Sequence, residues 1–127
     1  MIYRGACHCG AVSFEVEAPV DPIVHECNCS ICAMSGHWHL ILPKSRFRLL
    51  RGEEGLSTYT FNSGVAQHYF CKVCGIKPFY IPRSNPDGVD VNVRCLSPKP
   101  ASMRFEPFDG ANWERHAHEL AHLSKQD

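Results

Sequence analysis

Eight cysteines in a chain of 127 residues constrain the fold more than any other feature. They stand at 7, 9, 27, 29, 32, 71, 74 and 95, which reads as C-x-C, C-x-C-x-x-C, C-x-x-C and a singlet. Cysteines one or two residues apart rarely bridge each other without strain, because a disulfide requires converging Cβ vectors at a set separation. Short chelating turns do present thiolates well to zinc, at Zn–S distances of about 2.3 Å. The opening MIYRGACHCG holds no apolar run of the signal-peptide kind. The expectation is therefore a soluble, cytoplasmic protein in a reducing setting, where clustered cysteines hold metal rather than disulfides.

Composition narrows the partners. Hydrophobic residues make up 44% and charged residues 20%, enough for an ordinary globular core. Lysine plus arginine number 13 and aspartate plus glutamate 13, so no basic surplus points to nucleic acid. No segment approaches the ~20 apolar residues needed to cross a bilayer. Residues 1–127 are expected to form one domain.

The chain reads as mainly β. In GAVSFEVEA, Val12, Phe14 and Val16 alternate with Ser13, Glu15 and Glu17, the period of a half-buried strand. HWHLIL, FRLL, STYTF, QHYF, PFYI and VDVNV are further short runs rich in aromatic and β-branched residues. Turn signals such as PVDP, LPKS, RGEEG, NSG and RSNPDG separate them. At the end of the chain, WERHAHELAHL places Trp113, His116, Ala117 and Leu120 near one helical face, which predicts a helix over about 112–123.

The cysteines divide by spacing. CKVCG, flanked by strand-like runs, is a metal knuckle rather than a redox C-x-x-C, which belongs at a helix start in a βαβ unit. CHC near the start is a natural second half, so that Cys7, Cys9, Cys71 and Cys74 form a closed four-cysteine site. Spacing alone leaves open a swap in which Cys27 and Cys29 join the knuckle, although that strands Cys32. Cys27, Cys29 and Cys32 can otherwise share one metal from a single loop, one ligand short of closure. Three protein ligands and an exchangeable fourth position is the arrangement of catalytic zinc. Three thiolates make such a site a poor water activator and a good acceptor for an incoming thiolate.

Together these residues carry a resemblance. GACHCGAVSFEV, CNCSIC, TYTFNSG, HYFCKVCG and SNPDGVDVNVRCL resemble the family of glutathione-dependent formaldehyde-activating enzymes and centromere protein V, the GFA-type domain, over about residues 4–110. The resemblance implies a β-tent fold of coiled β-sheets stapled by zinc, with two zinc ions per chain. It assigns Cys7, Cys9, Cys71 and Cys74 to a structural zinc, and Cys27, Cys29 and Cys32 to a second, catalytic-type zinc. It also implies an activity: glutathione's thiol engages that zinc and adds to formaldehyde, giving S-hydroxymethylglutathione. The expected function is thus a zinc-dependent carbon–sulfur lyase acting on a thiol–aldehyde adduct, with a small thiol such as glutathione and a small aldehyde as partners. The competing reading is a non-catalytic binding or scaffold module in which both zincs are structural.

Other residues have two readings each. Cys95 is either a fourth ligand closing the second site or a small buried strand residue. His25 and His68 are candidates for proton transfer, against the plainer reading of strand histidines hydrogen-bonded to backbone. Arg83, in the RSNPDG turn, could receive a carboxylate or lie exposed. Tyr59, Phe61, Tyr69, Phe70, Phe79 and Tyr80 could wall a pocket or fill a core. HELAH (118–122) matches the H-E-x-x-H zinc motif, but a terminal turn is a poor platform for catalysis.

Overall fold

Strand alternation sorts side chains onto two faces, and strand register decides which of them meet. The computed structural model describes residues 1–125. A three-stranded antiparallel sheet comprises β1 (Ile2–Ala6), β2 (Ser13–Glu17) and β5 (Phe47–Arg51), with β2 at its centre. The larger sheet is built from β3 (Ile23–Cys27), β4 (Trp38–Pro43), β6 (Leu56–Tyr59), β7 (Gln67–Cys71), β8 (Phe79–Ile81), β9 (Gly88–Asn92) and β10 (Arg104–Phe108). Its strand order is β10-β3-β4-β9-β8-β7-β6, antiparallel throughout except for the parallel pair β10 and β3. The fold is mainly β, as the short aromatic and β-branched runs predict.

Val12, Phe14 and Val16 are buried, and they join Val24, Leu40, Leu42, Val89, Val91 and Leu96 in one core between the sheets. The rings of Phe14, Phe47 and Phe79 pack at centroid distances of 5.6, 5.9 and 4.7 Å. Such pairs add about 0.5–1.5 kcal/mol each beyond the area they bury.

The alternate residues of the larger sheet face the other way. Register aligns Tyr59, His68, Tyr80, Asp90 and Ile41 in one row across β6, β7, β8, β9 and β4. His25 pairs with His39 beside that row. His25, His39, His68 and Asp90 are all buried, so this face carries a polar seam with little exposed surface.

The chain after β10 covers part of this face. It continues through a 3-10 turn (Gly110–Asn112), the short helix α2 (Trp113–His116) and 3-10 turns at Ala117–Glu119 and Ala121–Ser124. Ile41, Phe108 and Leu120 form a smaller core beneath it. The C-terminal helix is therefore short, and the turns after it are tied to the RSNPDG turn. Asn85, wholly buried in the RSNPDG turn, donates Nδ2 to the Leu120 carbonyl at 2.9 Å and to Ser124 Oγ at 2.9 Å. The same Leu120 carbonyl accepts only a tightened three-residue bond from Leu123. HELAH consequently has no continuous helix face. His118 and His122 fall in separate 3-10 turns, and Glu119 Oε1 is bound to His116 Nδ1 at 2.9 Å. Among the described residues, none of the three belongs to a group that could hold a metal. No helix among the described residues is long and apolar enough to cross a membrane.

Candidate metal centres

Cys7 and Cys9 lie in the turn after β1, whereas Cys71 ends β7 and Cys74 follows it. Their four sulfurs lie within 4.8 Å of one another, with Cys7–Cys9 and Cys9–Cys71 both at 3.6 Å. Tetrahedral zinc with Zn–S bonds of about 2.3 Å separates its sulfurs by about 3.8 Å, so the spacing fits that ion. Backbone N–H groups already face the sulfurs: Val12 donates to Cys7 at 3.3 Å, and Val73 and Cys74 donate to Cys71 at 3.4 and 3.5 Å. Gly75, at φ +77°, takes the left-handed conformation that turns the knuckle back. This is a donor set of four thiols with its own backbone cradle.

The second group grows from the end of β3. Cys27 is its last residue, Cys29 precedes helix α1 (Ser30–Ser35) and Cys32 lies buried inside that helix. The tail closes tightly over the loop. Asn28 Nδ2 donates to Asp109 Oδ1 at 2.9 Å, and the Ala111 N–H donates to Asn28 Oδ1 at 2.8 Å. A Cβ on Gly110 would lie 2.2 Å from Cys27 Sγ and 3.0 Å from Cys29 Cβ, so only glycine fits. Gly110→Ala is expected to push Cys27 aside and lose metal from this group alone. Metal analysis should show that partial loss, with the melting profile showing the fold intact.

The three thiols cannot all ionise unaided. Contacts with Cys27 and Cys32 hold the Cys29 thiol down to about 2. The neighbouring Cys29 pushes Cys27 up to about 11, and Cys27 and Cys29 push Cys32 far above the ordinary thiol range. The protein alone thus favours the thiolate on Cys29 over those on Cys27 and Cys32, and a cation among the three sulfurs would favour all three.

Behind the thiols lies the polar seam. A ring nitrogen of His39 lies within 4.8 Å of both Cys27 and Cys32 sulfurs. His39 Nδ1 contacts Asp90 Oδ2 at 2.5 Å, and His37 Nε2 contacts Asp90 Oδ1 at 3.0 Å. Burial alone would raise the Asp90 carboxyl, but His39 and His37 outweigh it and hold it well below the usual range. Burial drives His37 down to about 3, despite that carboxylate. Burial, helped by the Lys77 ammonium 2.9 Å from its Nδ1, drives His68 down to about 4. Lys77 is itself buried, 3.8 Å above the Tyr80 ring, and burial lowers its affinity for the proton.

These shifts fix a pH dependence. The folded values of His37 and His68 lie below the unfolded value of about 6.5, so the unfolded chain binds more protons in acid. Stability is then full above pH ~6.5 and falls as pH drops toward 4, by up to ~1.4 kcal/mol per pH unit for each histidine. Ring-proton NMR at pH 5.5 is expected to show both residues as neutral imidazoles.

A cavity of about 670 Å³ opens onto this assembly, reaching Cys27, Cys29, Cys32, His25, His39 and His68. Its outer wall includes Arg83, Arg115 and Trp113. Arg83 is not the exposed loop arginine that its turn suggested: its guanidinium stacks 3.6 Å over the Trp113 ring. Nor are His25 and His68 strand histidines satisfied by backbone. His68 accepts from Lys77, His25 Nδ1 has no hydrogen-bond partner, and both line the cavity. Of the aromatic residues, Phe61 and Tyr80 line it, whereas Tyr69 and Phe79 belong to the core. Cys95 lies elsewhere: it borders a separate cavity of about 840 Å³, with its Sγ 3.9 Å from the Lys77 carbonyl oxygen. Among the described residues, no compact group of metal-ligating side chains includes Cys95.

The family model for "glutathione-dependent formaldehyde-activating enzyme" matches residues 2–109. The chain belongs to that family. A Halomonas elongata protein, provisionally named as such an enzyme, is 33% identical over 82 residues, covering 58% of this chain and 52% of that protein. The chain thus matches about half the length of this curated relative. A crystal structure of a Rhodobacter sphaeroides protein superposes with a TM-score of 0.70 at 36% identity, covering 81% of this chain and 99% of the other.

For this member of the formaldehyde-activating family, sequence reasoning named the cysteines but missed His39, Asp90 and Lys77. A signal was present for two of them. HWHLIL sets His37 and His39 two apart in a strand, and VDVNV sets Asp90 between core valines. Alternation places such polar residues together on the face opposite the core. Lys77 carries no comparable signal, since its burial depends on the strands packed around it.

Proposed function

We propose that the chain is a zinc-dependent carbon–sulfur lyase of the S-(hydroxymethyl)glutathione synthase type, joining a small thiol such as glutathione to formaldehyde or another small aldehyde. On this reading Cys7, Cys9, Cys71 and Cys74 hold a structural zinc, and Cys27, Cys29 and Cys32 hold a second one. The observation that carries the reading is the contrast between the two groups. The first brings four thiols together as a complete donor set, whereas in the second only Cys27 and Cys32 share a compact group, with Cys29 in contact with both, and all three line an open cavity. Zinc bound there supplies a Lewis acid that keeps an incoming sulfur deprotonated.

The remaining work falls to the protein. In the forward direction a sulfur–carbon bond forms, the carbonyl π pair moves to oxygen, and that oxygen takes up a proton. His68 suits the last step as a relay: its Nε2 proton passes to that oxygen while Lys77, which donates to Nδ1, passes a proton to the ring, and the proton given up by the thiol restores the ammonium. Arg83, fixed against Trp113, and Arg115 are cations on the outer wall, suited to the carboxylates of a peptide-like thiol.

The test uses cobalt-substituted protein. Added glutathione should intensify and shift the sulfur-to-metal absorption, and NMR should show the interconversion of formaldehyde and its glutathione adduct accelerated over the spontaneous rate. A spectrum indifferent to thiols, with no acceleration, would favour the scaffold reading and end this one.

A further inference from the structure

The compact group nearest the cavity floor is not the three cysteines alone. It is Cys27, Cys32 and His39, with Cys29 in contact with both thiols. We propose that His39 is a fourth ligand of the metal held by Cys27, Cys29 and Cys32, seated through its other ring nitrogen by Asp90. The proposal rests on the preceding reading only in placing a metal at the three cysteines.

Hydrogen bonding fixes the tautomer. An aspartate carboxylate only accepts, so its contact with His39 Nδ1 places the ring proton on that nitrogen. Nε2 is then left with a bare lone pair. It is buried, and it has no hydrogen-bond partner of any kind. An orphaned acceptor in the interior is costly; His25 Nδ1, His37 Nδ1 and His68 Nε2 are also unpartnered, but among the described residues only His39 of these four histidines belongs to a compact group with two thiols. A metal ion on the cysteine side answers that cost. Histidines that ligate metals characteristically donate their second N–H to a carboxylate, which fixes the ring and raises its basicity. Asp90 stands in that position, and its second oxygen is steadied by His37 Nε2 at 3.0 Å.

The same His39 also belongs to a compact group with His37 and Asp90. There the close approaches are hydrogen bonds from each ring to the carboxylate, which hold that group together without an ion of its own. The thiol group differs because its neighbours leave Nε2 unanswered. A closed three-sulfur, one-nitrogen set has a chemical consequence. A substrate thiol then enters by exchange with an imidazole that remains tethered to Asp90 and can return when product leaves.

The experiment is NMR of the full chain loaded with cadmium at both sites, which needs no substitution. Scalar coupling from one cadmium to the His39 ring proton next to Nε2 is expected, and its absence would overturn the proposal. X-ray absorption of the zinc-loaded protein gives an independent reading. The imidazole scattering of the wild type should vanish in His39→Ala, and identical spectra would likewise reject His39 as a ligand. Asp90→Asn should weaken metal binding at this site by about 10–100-fold while the four-cysteine group keeps its metal; unchanged affinity would count against the seating by Asp90. Glutathione separates this proposal from the lyase reading. If coupling to His39 is present but no thiol perturbs the site, the ligand assignment stands and the lyase reading falls. If thiols perturb wild type and His39→Ala alike and no coupling is seen, the reverse holds.

Discussion

Cys71→Ser is expected to cost the chain its fold as well as a metal ion. Cys71 is buried at the end of β7, receives two backbone N–H groups and lies at 3.6 Å from Cys9. More important is what the cluster joins. Cys7 and Cys9 follow a strand of the three-stranded sheet, whereas Cys71 ends and Cys74 follows a strand of the seven-stranded one. A metal shared by the four would pin one sheet to the other. Structural zinc contributes roughly 10–16 kcal/mol of apparent binding energy, whereas a whole domain is stable by only about 5–15 kcal/mol. No redistribution of packing absorbs that loss. Circular dichroism and a proton–nitrogen correlation spectrum of the variant should show collapse of the native signals at ordinary temperature. A dispersed, native-like spectrum without the metal would show that the staple is dispensable.

Cys32→Ser is expected to do the opposite, sparing the fold and abolishing the chemistry. Cys32 is buried in the six-residue helix α1, away from the junction between the sheets. Serine is close in size, so the helix should persist, but its hydroxyl does not ionise near neutral pH and is a poor ligand for zinc. Outer contacts of a metal site typically change affinity or activity by ~10–100-fold, and removal of a direct ligand should exceed that. The expected result is a folded protein with metal at the four-cysteine group, no spectral response to glutathione and no acceleration of adduct exchange. Full activity in this variant would remove the second site from the reaction. With Cys71→Ser, the pair separates the two groups by consequence: one variant loses structure, the other only function.

The cysteine clusters were visible in the chain because closely spaced thiols in short turns are local. C-x-C and C-x-x-C place two sulfurs a few ångströms apart whatever surrounds them, and the alternation of Val12, Phe14 and Val16 declares a buried face within a few residues. The site around the cysteines was less legible because it depends on register. His39 meets Cys27 and Asp90 only because β4 lies between β3 and β9. Nothing within HWHLIL or VDVNV states which strands are neighbours. The same holds for Arg83, which looks like a solvent-facing turn residue until the tail brings Trp113 beneath its guanidinium. The tail itself read as one helix because its apolar spacing is helical. Asn85, over thirty residues earlier, donates to the Leu120 carbonyl.

The parallel pairing of β10 with β3 has a consequence for how this family can diversify. It returns the chain to the cysteine loop just where the family match ends, at residue 109, and the next residues, from Gly110 to Leu120, build one wall of the cavity. The thiols, the seam and the sheets lie in the shared portion. The cavity wall from Gly110 to Leu120 lies beyond it, in short turns whose Leu120 packs with Ile41 of β4 and Phe108 of β10. On the proposed function, reactivity would lie in the matched portion and contacts to the body of the substrate in the tail. Exchanging residues 110–125 between relatives should change which adduct is handled while the metal chemistry stays as it was.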